Sequence, residues 1–178
     1  SHFPLLNRAT QGQYAPGSTF KLVSALASTR FGVRSPSEWF VDEGSVKIGD
    51  REFRNDNGIR HGSVDLARAL AVSSDTYFYT VGDAFWRRWN RNDTTTGLGL
   101  QDEARALGFG APTGIEIDES SGRVPDPTWK REFAAKLYRT AAERRDYGSW
   151  YPGDVVQLAI GQGDLLVTPV QLANEIGR

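Results

Sequence analysis

Gly12-Gln13-Tyr14-Ala15-Pro16-Gly17-Ser18-Thr19-Phe20-Lys21 places a serine hydroxyl and a lysine amine three residues apart, directly after a Pro-Gly breaker. Residues three apart are neighbours on a helix surface, so a helix starting at Ser18 puts Lys21 on the same face. A neutral lysine beside a serine activates an otherwise weak nucleophile, which points to acyl transfer. An isolated S-x-x-K has a plainer reading, a capping serine followed by a solvated lysine. Two features weigh against that here. Of the four lysines, only Lys21 has a serine three residues before it; Gly44, Pro127 and Phe133 precede the others. In addition, Phe20, Leu22, Val23, Leu26 and Ala27 give an apolar helix face, read from Ser18 to Ser28 and ending near Arg30-Phe31-Gly32.

A second serine cluster lies downstream. S-x-D occurs at Ser63-Val64-Asp65 and again at Ser73-Ser74-Asp75. The first precedes the apolar run Leu66, Ala67, Ala69, Leu70 and Ala71, where Ser63 reads as a helix cap and Asp65 as a first-turn acid. The second sits between that helix and another from about Asp75 to Trp86, with Tyr77, Phe78, Val81 and Phe85 at helical spacing. A junction between helices lets side chains project into a cleft. Ser73 is therefore the second catalytic candidate.

The order S-x-x-K, then S-x-N or S-D-N, then K-T-G belongs to penicillin-binding proteins and serine β-lactamases. Asn7-Arg8-Ala9-Thr10, followed by Tyr14 through Lys21, resembles the nucleophile segment of the class B penicillin-binding protein transpeptidases. Ser73-Ser74-Asp75-Thr76-Tyr77-Phe78-Tyr79 resembles their second motif. Gly114-Ile115-Glu116 agrees in the same order, as does Ile160-Gly161-Gln162-Gly163 leading to Val167-Thr168-Pro169-Val170-Gln171-Leu172. The family most often has asparagine where this chain has Asp75, and the elongation-type branch, that of penicillin-binding protein 2, tolerates aspartate there. No K-T-G or K-S-G follows Gly163.

The resemblance implies an α+β transpeptidase fold: an antiparallel sheet flanked by helices, with a helical subdomain, incomplete at the C-terminal end. Residues 1–178 would be a partial penicillin-binding domain, without the membrane anchor, the N-terminal module and the last sheet strands. It implies a peptidoglycan D,D-transpeptidase in which Lys21, freed of its proton by burial, deprotonates Ser18. Ser18 then attacks the penultimate D-alanine carbonyl of a stem peptide, Ser73 relays a proton, and Asp75 contacts lysine or substrate. β-Lactams would acylate Ser18. Partners implied are stem peptides, β-lactams and cell-wall synthesis proteins including a glycosyltransferase, on the extracytoplasmic face of a bacterial membrane. Alternatives are a D,D-carboxypeptidase or β-lactamase of the same superfamily, and a non-catalytic β-lactam sensor or scaffold.

Composition leaves room for this chemistry and narrows the rest. The 178 residues are 39% hydrophobic, enough for one core, and a net charge of -1 gives no electrostatic reason for a nucleic-acid partner. Zero cysteines exclude disulfides and thiolate catalysis. His2 and His61 form no H-E-x-x-H, so neither a metal nor a cofactor is expected, and His61 reads as a loop residue. No apolar run is long enough to span a bilayer.

The remaining segments read as follows. Ser45–Ile48, Gly49-Asp50 and Arg51–Arg54 predict a hairpin. Asn90 to Gly97 is a polar loop carrying an incidental Asn92-Asp93-Thr94 sequon, and Gln101 to Leu107 is a short helix closed by Gly108. Alternation predicts a strand at Gly114–Asp118, and Trp129 to Arg145 is a basic amphipathic stretch. Gly161-Gln162-Gly163 lacks the remainder of a phosphate loop and reads as architectural. Thr168, Pro169 and Gln171 make a capping box at a helix start.

Overall fold

The computed structural model describes residues 6–93 and 97–177; Thr94 of the sequon lies outside them. A 3₁₀ turn at Gly17–Phe20 runs directly into α1, Lys21–Arg30. Strands β1 (Phe40–Asp42), β2 (Ser45–Ile48), β3 (Arg51–Arg54) and β4 (Gly62–Val64) follow. Then come α2 (Leu66–Ala71), α3 (Asp75–Asn90) and α4 (Gly99–Ala106). An irregular stretch leads to α5 (Pro127–Leu137), α6 (Ala141–Gly148), α7 (Pro152–Ala159) and α8 (Pro169–Ile176). Among the described residues the strands form two small antiparallel sheets, β1–β4 and β2–β3, giving a helix-rich α+β arrangement. None of these helices is long and apolar enough to cross a membrane.

Helix α3 is the centre. Its Tyr77, Phe78, Val81 and Phe85 are each at most 1% exposed, a face supplied by the helical spacing of aromatic and branched residues. Gly82 lets α7 lie directly on it: a Cβ there would sit 2.8 Å from the Val155 carbonyl oxygen and 2.9 Å from the Val156 Cα. Helix α1 packs on α4, with Val23 and Ala27 of the one and Leu100 and Ala104 of the other all fully buried, and its Ser24 hydroxyl donates to the Ala159 carbonyl of α7 at 2.7 Å. The β2–β3 hairpin pairs Ser45 with Arg54 and Ile48 with Arg51 across Gly49-Asp50, with Gly49 at φ +62°. Its Phe53 ring meets Tyr79 at 5.2 Å, closing one flank of α3.

Three expectations change. Ser63 does not cap α2; it lies in β4, and Asp65 is the cap, accepting the Arg68 N–H at 2.8 Å. Gly114–Asp118 is not a strand. The Glu119 carboxylate gathers the N–H groups of Thr113, Gly114 and Ile115 and the Thr113 hydroxyl, winding the segment into a loop. Alternation alone cannot see a carboxylate that takes the donors a sheet would need. The basic stretch from Trp129 to Arg145 breaks in two, because Thr140 and Glu143 form a capping box that starts α6 afresh.

The Thr168–Gln171 capping box at α8 forms as predicted, and Gln171 does more than cap. Its Nε2 donates to the Ala111 and Ser121 carbonyls, both at 2.8 Å, pinning the irregular stretch. Tyr14 exchanges both backbone bonds with Val167 at 2.9 Å, and Gly17 N–H donates to the Gly161 carbonyl at 2.8 Å. The serine-bearing turn is thereby fastened to the segment before α8.

Gly82→Ala gains helix propensity of about 1 kcal/mol but must push α7 backbone aside, and overpacking costs about 1–3 kcal/mol. The net expectation is a destabilised protein with a lowered thermal midpoint, read by circular dichroism against Gly32→Ala. At Gly32 a Cβ meets nothing within 4 Å, so only its positive φ is penalised.

Candidate active site

Ser18 stands exposed on the 3₁₀ turn, just after Gly17 at φ +59°. Gly161, at φ +72°, backs this turn so closely that a Cβ would overlap the Gly17 carbonyl and approach Phe20 Cβ to 2.8 Å. The architectural reading of Gly161 thus has a location: it sets how deep the serine turn can sit. One turn later Lys21 points inward and is 2% exposed.

Burying an ammonium is costly unless every N–H finds an acceptor and a counter-charge is present. Lys21 Nζ donates to the Ser73 carbonyl at 2.8 Å, to Ser73 Oγ at 2.9 Å and to Asp75 Oδ1 at 2.5 Å. Three N–H groups meet three acceptors, all from the α2–α3 junction. Ser73 Oγ in turn donates to Ser18 Oγ at 3.0 Å. All four residues singled out in the sequence are brought together. The order differs from direct contact between Lys21 and Ser18: Ser73 stands between them.

What aims Ser73 is backbone geometry. Helix α2 ends in a Schellman motif, Ser73 N–H to Leu70 O at 3.1 Å and Ser74 N–H to Ala69 O at 2.9 Å. The same paired bonds close α1, α3, α4 and α7, with Gly32, Asn92, Gly108 and Gly161 at the left-handed position. At α2 that position is held by Ser73, at φ +55°. A Cβ in this region costs roughly 1–2 kcal/mol, and such strain persists where surrounding structure over-determines it. Glycine would fit better but carries no hydroxyl.

The surrounding structure is a buried polar network that sequence reading missed. Ser74, fully buried, caps α3 by accepting the Tyr77 N–H at 3.2 Å and donates to Asp42 Oδ2 at 2.6 Å. Asp42, also fully buried, accepts from Asn55 Nδ2 at 2.8 and 2.9 Å and from the Gly44 N–H at 2.8 Å. Asn55 accepts the Thr76 N–H at 2.9 Å. Burial alone would raise the Asp42 carboxyl, but the donors from Ser74, Asn55 and Gly44 together outweigh it and hold it below 3.8. On the other side of the junction, burial and then the Asp75 charge push the Tyr79 phenol up to about 12. The only local sign of this network in the sequence was a polar residue at Ser74, a good N-cap position; nothing near Asp42 marked it.

Among the described residues no group of three His, Cys, Asp or Glu could hold a metal. A cavity of about 430 Å³ between Gly49–Arg51 and the start of α7 contains none of the four site residues. The hydrogen-bonded chain instead opens on the surface at Ser18 and Ser73.

The family profile of the penicillin binding protein transpeptidase domain matches residues 1–176. The chain belongs to this family. It is 35% identical over 173 residues to the peptidoglycan D,D-transpeptidase MrdA of Haemophilus influenzae, covering 96% of this chain and 23% of that protein. To MrdA of Salmonella typhimurium strain LT2 it is 32% identical over 174 residues, covering 96% and 24%. The chain thus spans about a quarter of the length of the curated relatives it matches. Pseudomonas aeruginosa PBP2, solved in complex with WCK 5153, superposes with a TM-score of 0.79 at 34% identity over 97% of this chain and 35% of that one. PBP2 of Helicobacter pylori, solved with MreC, gives 0.77 at 30% identity over 95% and 28%. The transpeptidase fold and the penicillin-binding protein 2 affinity expected from the motifs both hold.

Two outcomes follow from the strained serine and the buried carboxylate. Ser73→Gly is expected to be about 1 kcal/mol more stable than Ser73→Ala in urea denaturation, because glycine relieves the left-handed strain that alanine keeps. For Asp42 the folded pKa is depressed, so its contribution is present above 3.8 and lost as pH falls through the folded value below that. The stability difference between wild type and Asp42→Asn should therefore be largest above about pH 4 and narrow below it.

Proposed function

We propose that this chain carries the acylation site of a peptidoglycan D,D-transpeptidase, with Ser18 as nucleophile, Ser73 as proton relay, Lys21 as base and Asp75 as the group orienting Lys21. The observation that carries the reading is the hydrogen-bonded chain from exposed Ser18 through Ser73 to buried Lys21. With Lys21 as an ammonium the donors run outward, from Lys21 to Ser73 to Ser18, and loss of one proton from Lys21 reverses them. As a neutral amine Lys21 has two N–H groups and one lone pair. Of its three partners, the Ser73 carbonyl and the Asp75 carboxylate accept only, so the lone pair can take a proton only from the Ser73 hydroxyl.

The acylation step then balances. Ser18 Oγ attacks the penultimate D-alanine carbonyl of a stem peptide, its proton passes to Ser73 Oγ, and the Ser73 proton passes to Lys21 Nζ. When the tetrahedral intermediate collapses, the C–N bond breaks and the terminal D-alanine amine takes a proton back along the same path. An amine from a second stem peptide attacks the ester, forming the cross-link and restoring Ser18. The Ser18 N–H lies in the first turn of a helix start, where amides lack an intrahelical acceptor, and is suited to the developing oxyanion. A β-lactam carbonyl enters the same path and leaves an ester on Ser18.

Family membership supports this reading, as do relatives named D,D-transpeptidases. It carries with it a stem-peptide substrate, an extracytoplasmic location and a cell-wall glycosyltransferase partner. A PBP2 relative solved with MreC supports assembly with other cell-wall proteins.

Intact-protein mass spectrometry after incubation with a fluorescent penicillin is expected to give one adduct of one drug mass, absent in Ser18→Ala. Ser73→Ala should keep the adduct but slow its formation by roughly 10²–10⁴-fold, the usual contribution of a positioned proton-transfer group. An adduct that survives Ser18→Ala would overturn the assignment.

A further inference from the structure

The relay depends on a serine held where glycine is the unstrained choice, so something beyond the four site residues must hold it. Ser74, between Ser73 and Asp75, has its hydroxyl buried and turned the other way, onto Asp42 at 2.6 Å. Asp42 belongs to β1, far from the junction in sequence, and is 0% exposed. Asn55, just after β3, is bonded both to Asp42 and to the Thr76 N–H of α3. One carboxylate therefore ties down the residue after Ser73 and, through Asn55, the first turn of α3, where Asp75 begins the helix.

We infer that Asp42 is a positioning residue for acyl transfer: by anchoring Ser74 and Asn55 it holds the Ser73–Asp75 turn in the left-handed geometry that aims the Ser73 hydroxyl between Ser18 and Lys21. It touches no reacting atom. Its carboxylate is saturated by the Ser74 hydroxyl, the Asn55 amide and the Gly44 N–H, so it has no capacity left for substrate. An amide in its place offers one acceptor oxygen instead of two, so at least one of the N–H contacts from Asn55 and Gly44 is lost, and the Ser74 hydroxyl can stay bonded only by accepting instead of donating. The freed turn can then relax from its strained conformation and the relay loses its middle member. This inference rests on the proposed acyl-transfer reading.

A double-mutant cycle separates positioning from plain stability. The rate of Ser18 acylation by a fluorescent penicillin is measured for Asp42→Asn in wild-type and in Ser73→Gly backgrounds, with the thermal midpoint of each protein. Positioning through Ser73 requires a rate loss of roughly tenfold to a hundredfold in the wild-type background. In Ser73→Gly, where there is no hydroxyl left to aim, the further loss should be under about twofold, while the midpoint falls in both backgrounds. Equal rate losses in the two backgrounds, or none in wild type, would overturn the inference. Ser74→Ala covers the case in which Asp42→Asn fails to fold. It cuts the link to the turn but leaves Asp42 its Asn55 and Gly44 donors, and the same non-additive pattern is required of it. Persistence of the adduct in Ser18→Ala would instead bring down the acyl-transfer reading itself.

Discussion

A buried lysine surrounded by three acceptors is the interaction on which the rest of this structure turns. Lys21 is 2% exposed, and its ammonium draws the Ser73 carbonyl, the Ser73 hydroxyl and the Asp75 carboxylate onto one point. Removing a charge from water costs several kcal/mol, so the junction that supplies these acceptors cannot drift. That requirement fixes α1 against the α2–α3 junction. It also explains why two polar clusters 52 residues apart in sequence meet beside the exposed Ser18 hydroxyl.

Around that point the fold solves two problems of close approach with glycine and one with strain. Gly161 lets the segment before α8 lie against the serine turn, and Gly82 lets α7 lie against α3, because backbone meets backbone where a Cβ would stand. At Ser73 the same logic calls for glycine and the chain has serine, at φ +55°. Four other helices end in the same pair of hydrogen bonds with glycine or asparagine there. A serine takes the strained position, and the Asp42–Ser74–Asn55 network lies directly behind it on the buried side.

The members of the site were legible because they are written in residue types at short spacing. Ser18 and Lys21 are three apart, so local helix geometry brings them to one side of the turn, whereas Ser73 and Asp75 were marked by their residue types in the S-x-D motif. The capping box at Thr168 and the Gly49-Asp50 hairpin were legible for the same reason, each being decided within four residues. Asp42 and Asn55 were not, since an aspartate in a short strand and an asparagine in a loop look like surface residues until they are buried against each other. The strand expected at Gly114–Asp118 failed likewise, because Glu119 removed its donors.

The sequence by itself determined the local elements, the transpeptidase motifs and which serine of the two S-x-D sites to follow, all consequences of side-chain type within one or two turns. Only the tertiary structure decided the order of the hydrogen-bonded chain, with Ser73 between Ser18 and Lys21. Only it decided that Ser73 occupies a left-handed helix end braced by a buried carboxylate from β1. The physical reason is that hydrogen bonds are short and directional. Which of three neighbouring groups an ammonium or a hydroxyl bonds to depends on ångström-scale placement set by packing between distant segments, which residue spacing does not encode.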